Sequence, residues 1–219
     1  MANFTIADIK ALREQLGTGM VDTKKALEEA DGDLEKAVEI LRLKGAKGNA
    51  KRADRSTSEG LVTAALHDGA VTIIELNTET DFVAKNERFI ALADKVLAAA
   101  AAVGADSVEA ALAADADGKS VADLISDEAA IIGEKVELRR VRTISGDKFE
   151  IYLHKTSKDL PPQIGGVLAY TGDDAETARS IAQHISFANP TYLTRDDVPA
   201  DEVDKEREIV TEISRNEGK

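Results

Sequence analysis

The first 45 residues place apolar side chains at helical spacing. Ile6, Ile9, Leu12 and Leu16 form one stripe that ends at Gly17-Thr18-Gly19, which predicts a helix stopped by a glycine turn. A second helix is expected from about Met20 to Ala30, closed by Asp31-Gly32-Asp33. Asp33 is placed to cap a third helix with the stripe Leu34, Ala37, Val38 and Leu41, and Gly45 stands where a left-handed residue closes a helix. Three short helices make a module with a marginal core that is expected to lean on a neighbour or a partner. From 46 to 58 the periodicity vanishes while Lys47, Lys51, Arg52 and Arg55 accumulate, and this stretch reads as a solvated linker.

The pattern then changes. Leu61 to His67 and Ala70 to Asn77 read as strands joined by Asp68-Gly69, a pair suited to a type I′ turn because both central positions need positive φ. Phe89, Leu92, Val96 and Leu97 lay out a helix that Asn86 is placed to cap, followed by two shorter helices around Ser107–Ala113 and Ser120–Ile131. Gly133 leads into a strand from Val136 to Ile144. A second cycle follows: Lys148 to His154 puts Phe149, Ile151 and Leu153 on one face, Ile164 to Thr171 is another strand, and Ala178, Ile181, Ala182 and Ile185 mark a helix stopped by Asn189-Pro190. Hairpin then helix thus occurs twice, in roughly 60–102 and 149–189. This predicts an α+β fold: a three-helix domain (1–45), a linker (46–58), and a core in two halves (59–144 and 145–219), each a small antiparallel sheet covered by helices. Asp201 to Arg215 is charged, with a thin apolar face of Val203, Val210 and Ile213. The second half lacks a counterpart to the Val136–Ile144 strand, so either a sheet edge stays open or the native chain runs on past Lys219.

Composition mainly excludes. With 219 residues, 43% of them apolar and 32% charged, the chain is expected to fold as a soluble globular protein. Alanine-rich runs such as Val96 to Val103 are too short and interrupted to span a bilayer, and Met1 to Thr5 lacks the basic-then-apolar pattern of a secretory signal. There is no cysteine, hence no disulfide, thiol nucleophile or cysteine metal site, and a cytoplasmic protein is the simplest reading. A formal charge of −13 argues against broad binding to nucleic acid or anionic membranes and favours a partner surface of some basic character.

Catalytic chemistry finds no anchor. Gly118-Lys119-Ser120 imitates the end of a phosphate-binding loop, but Ala113 occupies the place of its leading glycine. Gly165-Gly166 and Gly172 lack dinucleotide-binding spacing, and His67, His154 and His184 lack metal-ligand spacing. Of the three, His154 at a strand end is retained as a candidate. The 41 carboxylates guarantee chance pairs, so none is selected as an acid/base pair. No cofactor or metal site is expected.

The stretch from Thr78 to Phe89 is of a different kind. In a chain with 5 Phe, 3 Tyr and no Trp, Phe82 stands beside Asp81 where a strand gives way to a helix. Either Phe82 tucks under that helix, or Asp81-Phe82 forms a protruding tip that enters another protein. Met20-Val21, just after the first glycine turn, poses the same choice. Pattern alone favours packing inside the bundle; the alternative is an exposed apolar spot with Asp22, Lys24 and Lys25 as its polar rim.

Several motifs together resemble the bacterial elongation factor Ts family, nucleotide-exchange factors for elongation factor Tu. They are Leu12-Arg13 with Gly17-Thr18-Gly19-Met20-Val21-Asp22-Thr23-Lys24-Lys25-Ala26-Leu27, Asp31-Gly32-Asp33, and Thr80-Asp81-Phe82-Val83-Ala84-Lys85-Asn86. Ile132-Gly133-Glu134, Arg139-Arg140-Val141, and His184 to Pro190 running on to Tyr192 extend the likeness over essentially the whole chain. Family members commonly continue past this C-terminus, and the loop from Lys155 to Gln163 is longer than in some relatives.

The resemblance implies a ubiquitin-associated-like N-terminal domain and a two-part α+β core. It implies that Asp81 and Phe82, within Thr80 to Val83, enter the partner's GTPase domain near its Mg²⁺ and phosphate site. It further implies contacts to elongation factor Tu, GDP-bound or nucleotide-free, from Met20, Val21, Ile132, Gly133 and His154. The alternatives of another class are a protein-binding scaffold without exchange activity and a carboxylate hydrolase, which needs two acidic residues converging in a deep pocket.

Overall fold

The structure, a computed structural model, describes residues 3–218; Met1, Ala2 and Lys219, the two ends of the sequence, lie outside the described residues. The chain begins with α1 (Ile6–Leu16), α2 (Met20–Glu29) and α3 (Leu34–Arg52). Thr5 and Asp8 form a reciprocal capping box at the start of α1, and Asp33 accepts the free N–H groups of Glu35 and Lys36 at the start of α3. Leu12, Ala26, Leu27, Ala30, Ala37 and Leu41 are the buried core of this module, with Phe4, Ile9, Leu16, Val38 and Ile40 packed around them. Six buried apolar side chains, three of them alanines, and the buried Thr23 make a small core.

Residues 46–52, read from composition as part of a linker, instead continue α3, and Gly45 lies inside that helix rather than closing it. The physical reason is a seat for α3 on α7 (Val121–Ile132). A Cβ added at Gly45 would stand 2.8 Å from the Ala130 Cβ, so glycine is what permits the two helices to touch. Beyond it Asn49 Nδ2 donates to the Ser126 carbonyl at 2.8 Å and Arg52 reaches the Ala129 carbonyl at 3.5 Å. The helix therefore lacks an apolar stripe here because polar side chains make its tertiary contacts.

The core's first half is an antiparallel sheet in the order β1 (Glu59–His67), β2 (Ala70–Thr78), β5 (Val136–Ser145). Asp68 and Gly69 both take positive φ, as the two-residue hairpin requires. Between β2 and β5 one residue is bulged near Glu75, and this lets Arg139 and Arg140 both pair with the Glu75 carboxylate. The one-turn helix α4 (Asp81–Ala84) leads into α5 (Glu87–Ala102), capped by Asn86 as expected. α6 (Val108–Ala113) and α7 follow, separated by the small hairpin β3 (Asp115–Ala116) and β4 (Lys119–Ser120). Leu61, Ile74, Leu76, Phe89, Val96 and Leu138 are at the centre of the core these elements share.

In the second half β6 (Lys148–His154) pairs with β7 (Ile164–Tyr170), and α8 (Ala175–Ala188) packs on both. β7 is pinched between layers: a Cβ on Gly165 would meet Val62 and Ile73 of the first sheet, and one on Gly166 would meet Ser186 and Ala182 of α8. α9 (Ala200–Asn216) buries none of its residues, and Tyr192 Oη donates to Glu202 at 2.8 Å near its start. The fold is α+β, and no helix among the described residues is long and apolar enough to cross a membrane.

Candidate partner interface

The loop that carries Phe82 is constructed from the end of a β-ladder. Thr78 pairs with Val136 in the last rung between β2 and β5, and beyond it the two chains diverge toward α4 and from α7. Backbone N–H groups at this fork have no ladder partner, and two carboxylates take them. Glu134 Oε2 accepts from the Thr78 hydroxyl (2.8 Å), the Glu79 N–H (3.2 Å) and the Thr80 N–H (3.1 Å), while Oε1 accepts from the Thr80 hydroxyl at 2.7 Å. In the opposite direction Glu79 Oε1 accepts the Lys135 N–H at 2.7 Å, and Arg55 holds the same carboxylate at 3.1 Å. Burial pushes the Glu79 carboxyl up, but the Lys135 N–H, the Arg55 hydrogen bond and the Arg55 and Arg52 charges outweigh it and leave Glu79 below its ordinary range.

Thr80 then caps α4, its hydroxyl oxygen accepting the Val83 N–H at 3.4 Å. Ala84 is buried and Val83 packs against the core, so the turn is pinned by those two residues. Phe82 points the other way and is 74% exposed. The reading in which Phe82 tucks under the following helix is therefore overturned; Phe89 fills that place at 0% exposure. Lys85 Nζ lies 4.8 Å from the Phe82 ring centroid and 3.8 Å from Asp81, which orders the tip without covering it.

The packing that pattern favoured for Met20 and Val21 is also overturned, since they are 55% and 65% exposed. Thr23, Ala26 and Leu27 supply the inward face of α2 instead. The Thr23 hydroxyl bonds back to the Gly19 carbonyl and to Thr18, fixing the turn from which Met20 and Val21 project. Of the expected rim, Asp22 pairs with Lys44 and Lys24 with Glu28.

α7 joins these places. A Cβ on Gly17 would meet the Ile131 side chain at 2.7 Å, so the glycine turn before Met20 rests on the end of α7. Ile132 is half-buried against the core, Gly133 ends the helix with φ 85°, and Glu134 is the residue that accepts from Thr78, Glu79 and Thr80. Met20-Val21, Ile132-Gly133 and Thr80 to Val83 are thus connected through one helix terminus.

His154 is placed apart from them. Its Nδ1 is 3.0 Å from Tyr152 Oη, and its ring lies 5.5 Å from Phe187, which is exposed. It pairs with Ile164, and the adjoining Pro162 carbonyl accepts the Val62 N–H of β1 at 2.8 Å. β1 begins opposite Thr78, so His154 lies toward the same end of the sheet as the tip, without touching it. Among the described residues no cluster of His, Cys, Asp or Glu is arranged to hold a metal ion. Glu79, Glu134 and Arg55 are not site candidates from sequence: Arg55 reads there only as part of a basic linker, and Glu134 stands inside a quoted motif with nothing to mark its carboxylate among 41.

A family model described as "Elongation factor TS" matches residues 79–219. The chain is 72% identical over its full length to "Elongation factor Ts" of Leifsonia xyli subsp. xyli, covering 80% of that protein. The corresponding protein of Clavibacter michiganensis is 68% identical and that of Micrococcus luteus 55%, with the same coverage of each.

Proposed function

The chain belongs to the elongation factor Ts family of translation elongation factors, and from this premise we propose that it binds elongation factor Tu and speeds release of its GDP. The observation that carries the proposal is Phe82: a large aromatic held out into solvent at 74% exposure on a turn fixed at both ends. Phe187 is equally exposed, so what sets Phe82 apart is its place on a turn capped by Thr80 and anchored by buried Ala84, and a ring held out in this way fits a pocket on another protein.

A GTPase holds GDP partly through a Mg²⁺ ion that bridges protein and phosphate oxygens. Phe82 enters between elements near that site and displaces them, with Asp81 orienting the tip or accepting partner N–H groups. Burying one phenylalanine yields about 1.5–3 kcal/mol, too little to expel a tightly held nucleotide alone. Met20 and Val21 supply a second apolar foothold, Ile132 and Gly133 a third, and His154 a contact from the second half. Free energy gained at these footholds is what holds the wedge in place. Coupling between two ligands is reciprocal, so a chain that weakens GDP binding is itself weakened by GDP. The complex with empty elongation factor Tu is the tight one, and rebinding of nucleotide, in a cell GTP, releases it. No bond is made or broken, and the setting is the cytoplasm.

The test is the rate at which fluorescent GDP leaves elongation factor Tu, chased with excess unlabelled nucleotide, with and without this chain. Acceleration supports exchange. Binding without acceleration supports a scaffold instead.

A further inference from the structure

We propose that Glu134 is a positioning residue of the exchange reaction, the group that fixes the direction of the Asp81-Phe82 tip and ties it to the Ile132-Gly133 foothold. The proposal rests on the reading of Phe82 as the wedge.

A helix of one turn has no stability of its own, so the orientation of α4 is imposed from outside. The imposing contacts converge on a single carboxylate. Glu134 accepts four hydrogen bonds from Thr78, Glu79 and Thr80, three on Oε2 and one on Oε1. The Thr80 hydroxyl donates a hydrogen bond to Glu134 Oε1 at 2.7 Å and accepts one from the Val83 N–H at 3.4 Å. Glu134 thus sets the hydroxyl that caps the helix carrying Phe82. The bond from Lys135 N–H to Glu79 at 2.7 Å runs the other way, so the two segments are cross-braced.

Position argues the same point. Glu134 follows the left-handed residue that ends α7, where the helix dipole disfavours a negative charge. It is not there to stabilise α7. Its carboxylate instead accepts the Glu79 and Thr80 N–H groups that precede α4 and the Thr80 hydroxyl that caps it. Ile132 and Gly133 immediately precede it, so the foothold and the bonds that hold the tip meet at one residue.

The test is a double-mutant cycle on GDP release from elongation factor Tu with Glu134→Ala, Phe82→Ala and the double variant, and with Glu134→Gln in parallel. Glu134→Ala is expected to slow release at saturating chain by about tenfold, within the loss of about a hundredfold that misplacing a group by an ångström brings. Glu134→Gln keeps one acceptor oxygen and is expected to lose less, in the same direction. The double variant is expected to be no slower than Phe82→Ala alone, because a positioning residue has nothing left to position. If Glu134→Ala does not fold, the cycle is run with Glu134→Gln. Losses that multiply in the double variant overturn the proposal, as do rates equal to wild type for both Glu134 variants. A wild-type chain that leaves GDP release unchanged overturns the wedge reading itself, and this proposal with it.

Discussion

Replacing Phe82 by alanine separates a wedge from a core plug, because the two place its apolar surface on opposite sides of the folding equilibrium. Full burial of a phenylalanine is worth about 1.5–3 kcal/mol. With 74% of Phe82 exposed, roughly three quarters of that, about 1–2 kcal/mol, is gained on docking rather than on folding. That corresponds to a loss of about five- to thirty-fold in nucleotide release at fixed chain concentration. Within the chain, Phe82→Ala forfeits the contact with Lys85, worth about 0.5–1 kcal/mol at an exposed site. For a protein of this size that lowers the melting temperature by no more than about 2–4 °C. A buried ring behaves otherwise: Phe89→Ala, at 0% exposure, is expected to cost about 3–5 kcal/mol. The assay pairs fluorescent GDP release with thermal unfolding by circular dichroism on the same preparations. Unchanged release together with a drop of about 6–20 °C, the cost of a core phenylalanine, would refute the reasoning.

Other expectations follow from the same geometry. Met20→Ala with Val21→Ala is expected to raise the half-saturating concentration for exchange by about five- to thirty-fold, from about 1–2 kcal/mol of lost apolar burial, with little change in melting temperature; titration of the release rate checks it. Glu79 is held below its ordinary value of 4.5, so the folded state binds its proton less readily than the unfolded chain does. Its stabilising contribution is therefore full above that value and fades as pH falls through the depressed one. The melting-temperature difference between wild type and Glu79→Gln, measured from pH 7 downward, is expected to be constant to about pH 5 and then to shrink; a gap that persists in acid would show that shape matters and charge does not. Gly45→Leu, whose Cβ would press on Ala130, is expected to unseat α3 from α7 and speed proteolysis near residues 45–58; unchanged protection would contradict the helix seat.

Where local chemistry decides the structure, the sequence was readable. Asp68-Gly69, Asn86, Asp33 and the alternation from Lys148 to His154 each carry their own cause, and the turn, the caps and the strand are in place. Asp117-Gly118 carries the same turn signal, with φ 58° and 86°, yet its strands are two residues long and leave no alternation to read. The continuation of α3 was not readable because its partners on α7 lie more than 70 residues away and are met by Asn49 and Arg52, not by an apolar stripe. Met20 and Val21 were ambiguous for a related reason: helical spacing says that a residue has a face, not which face finds a core. In the candidate site the quoted motifs contained Phe82 and Glu134, but the bond that Thr80 donates to Glu134 spans 54 residues and exists only once β2 and β5 have paired.

The central claim is that the chain loosens GDP by disturbing the Mg²⁺ and phosphate site of elongation factor Tu. Release of fluorescent GDP, with and without the chain, is to be measured in excess Mg²⁺ and again after chelation. The expected result is strong acceleration in Mg²⁺ that saturates with chain concentration and shrinks once the metal is removed, because chelation has already done part of what the wedge does. A chain that forms a complex with elongation factor Tu yet leaves the release rate in Mg²⁺ unaltered would contradict it.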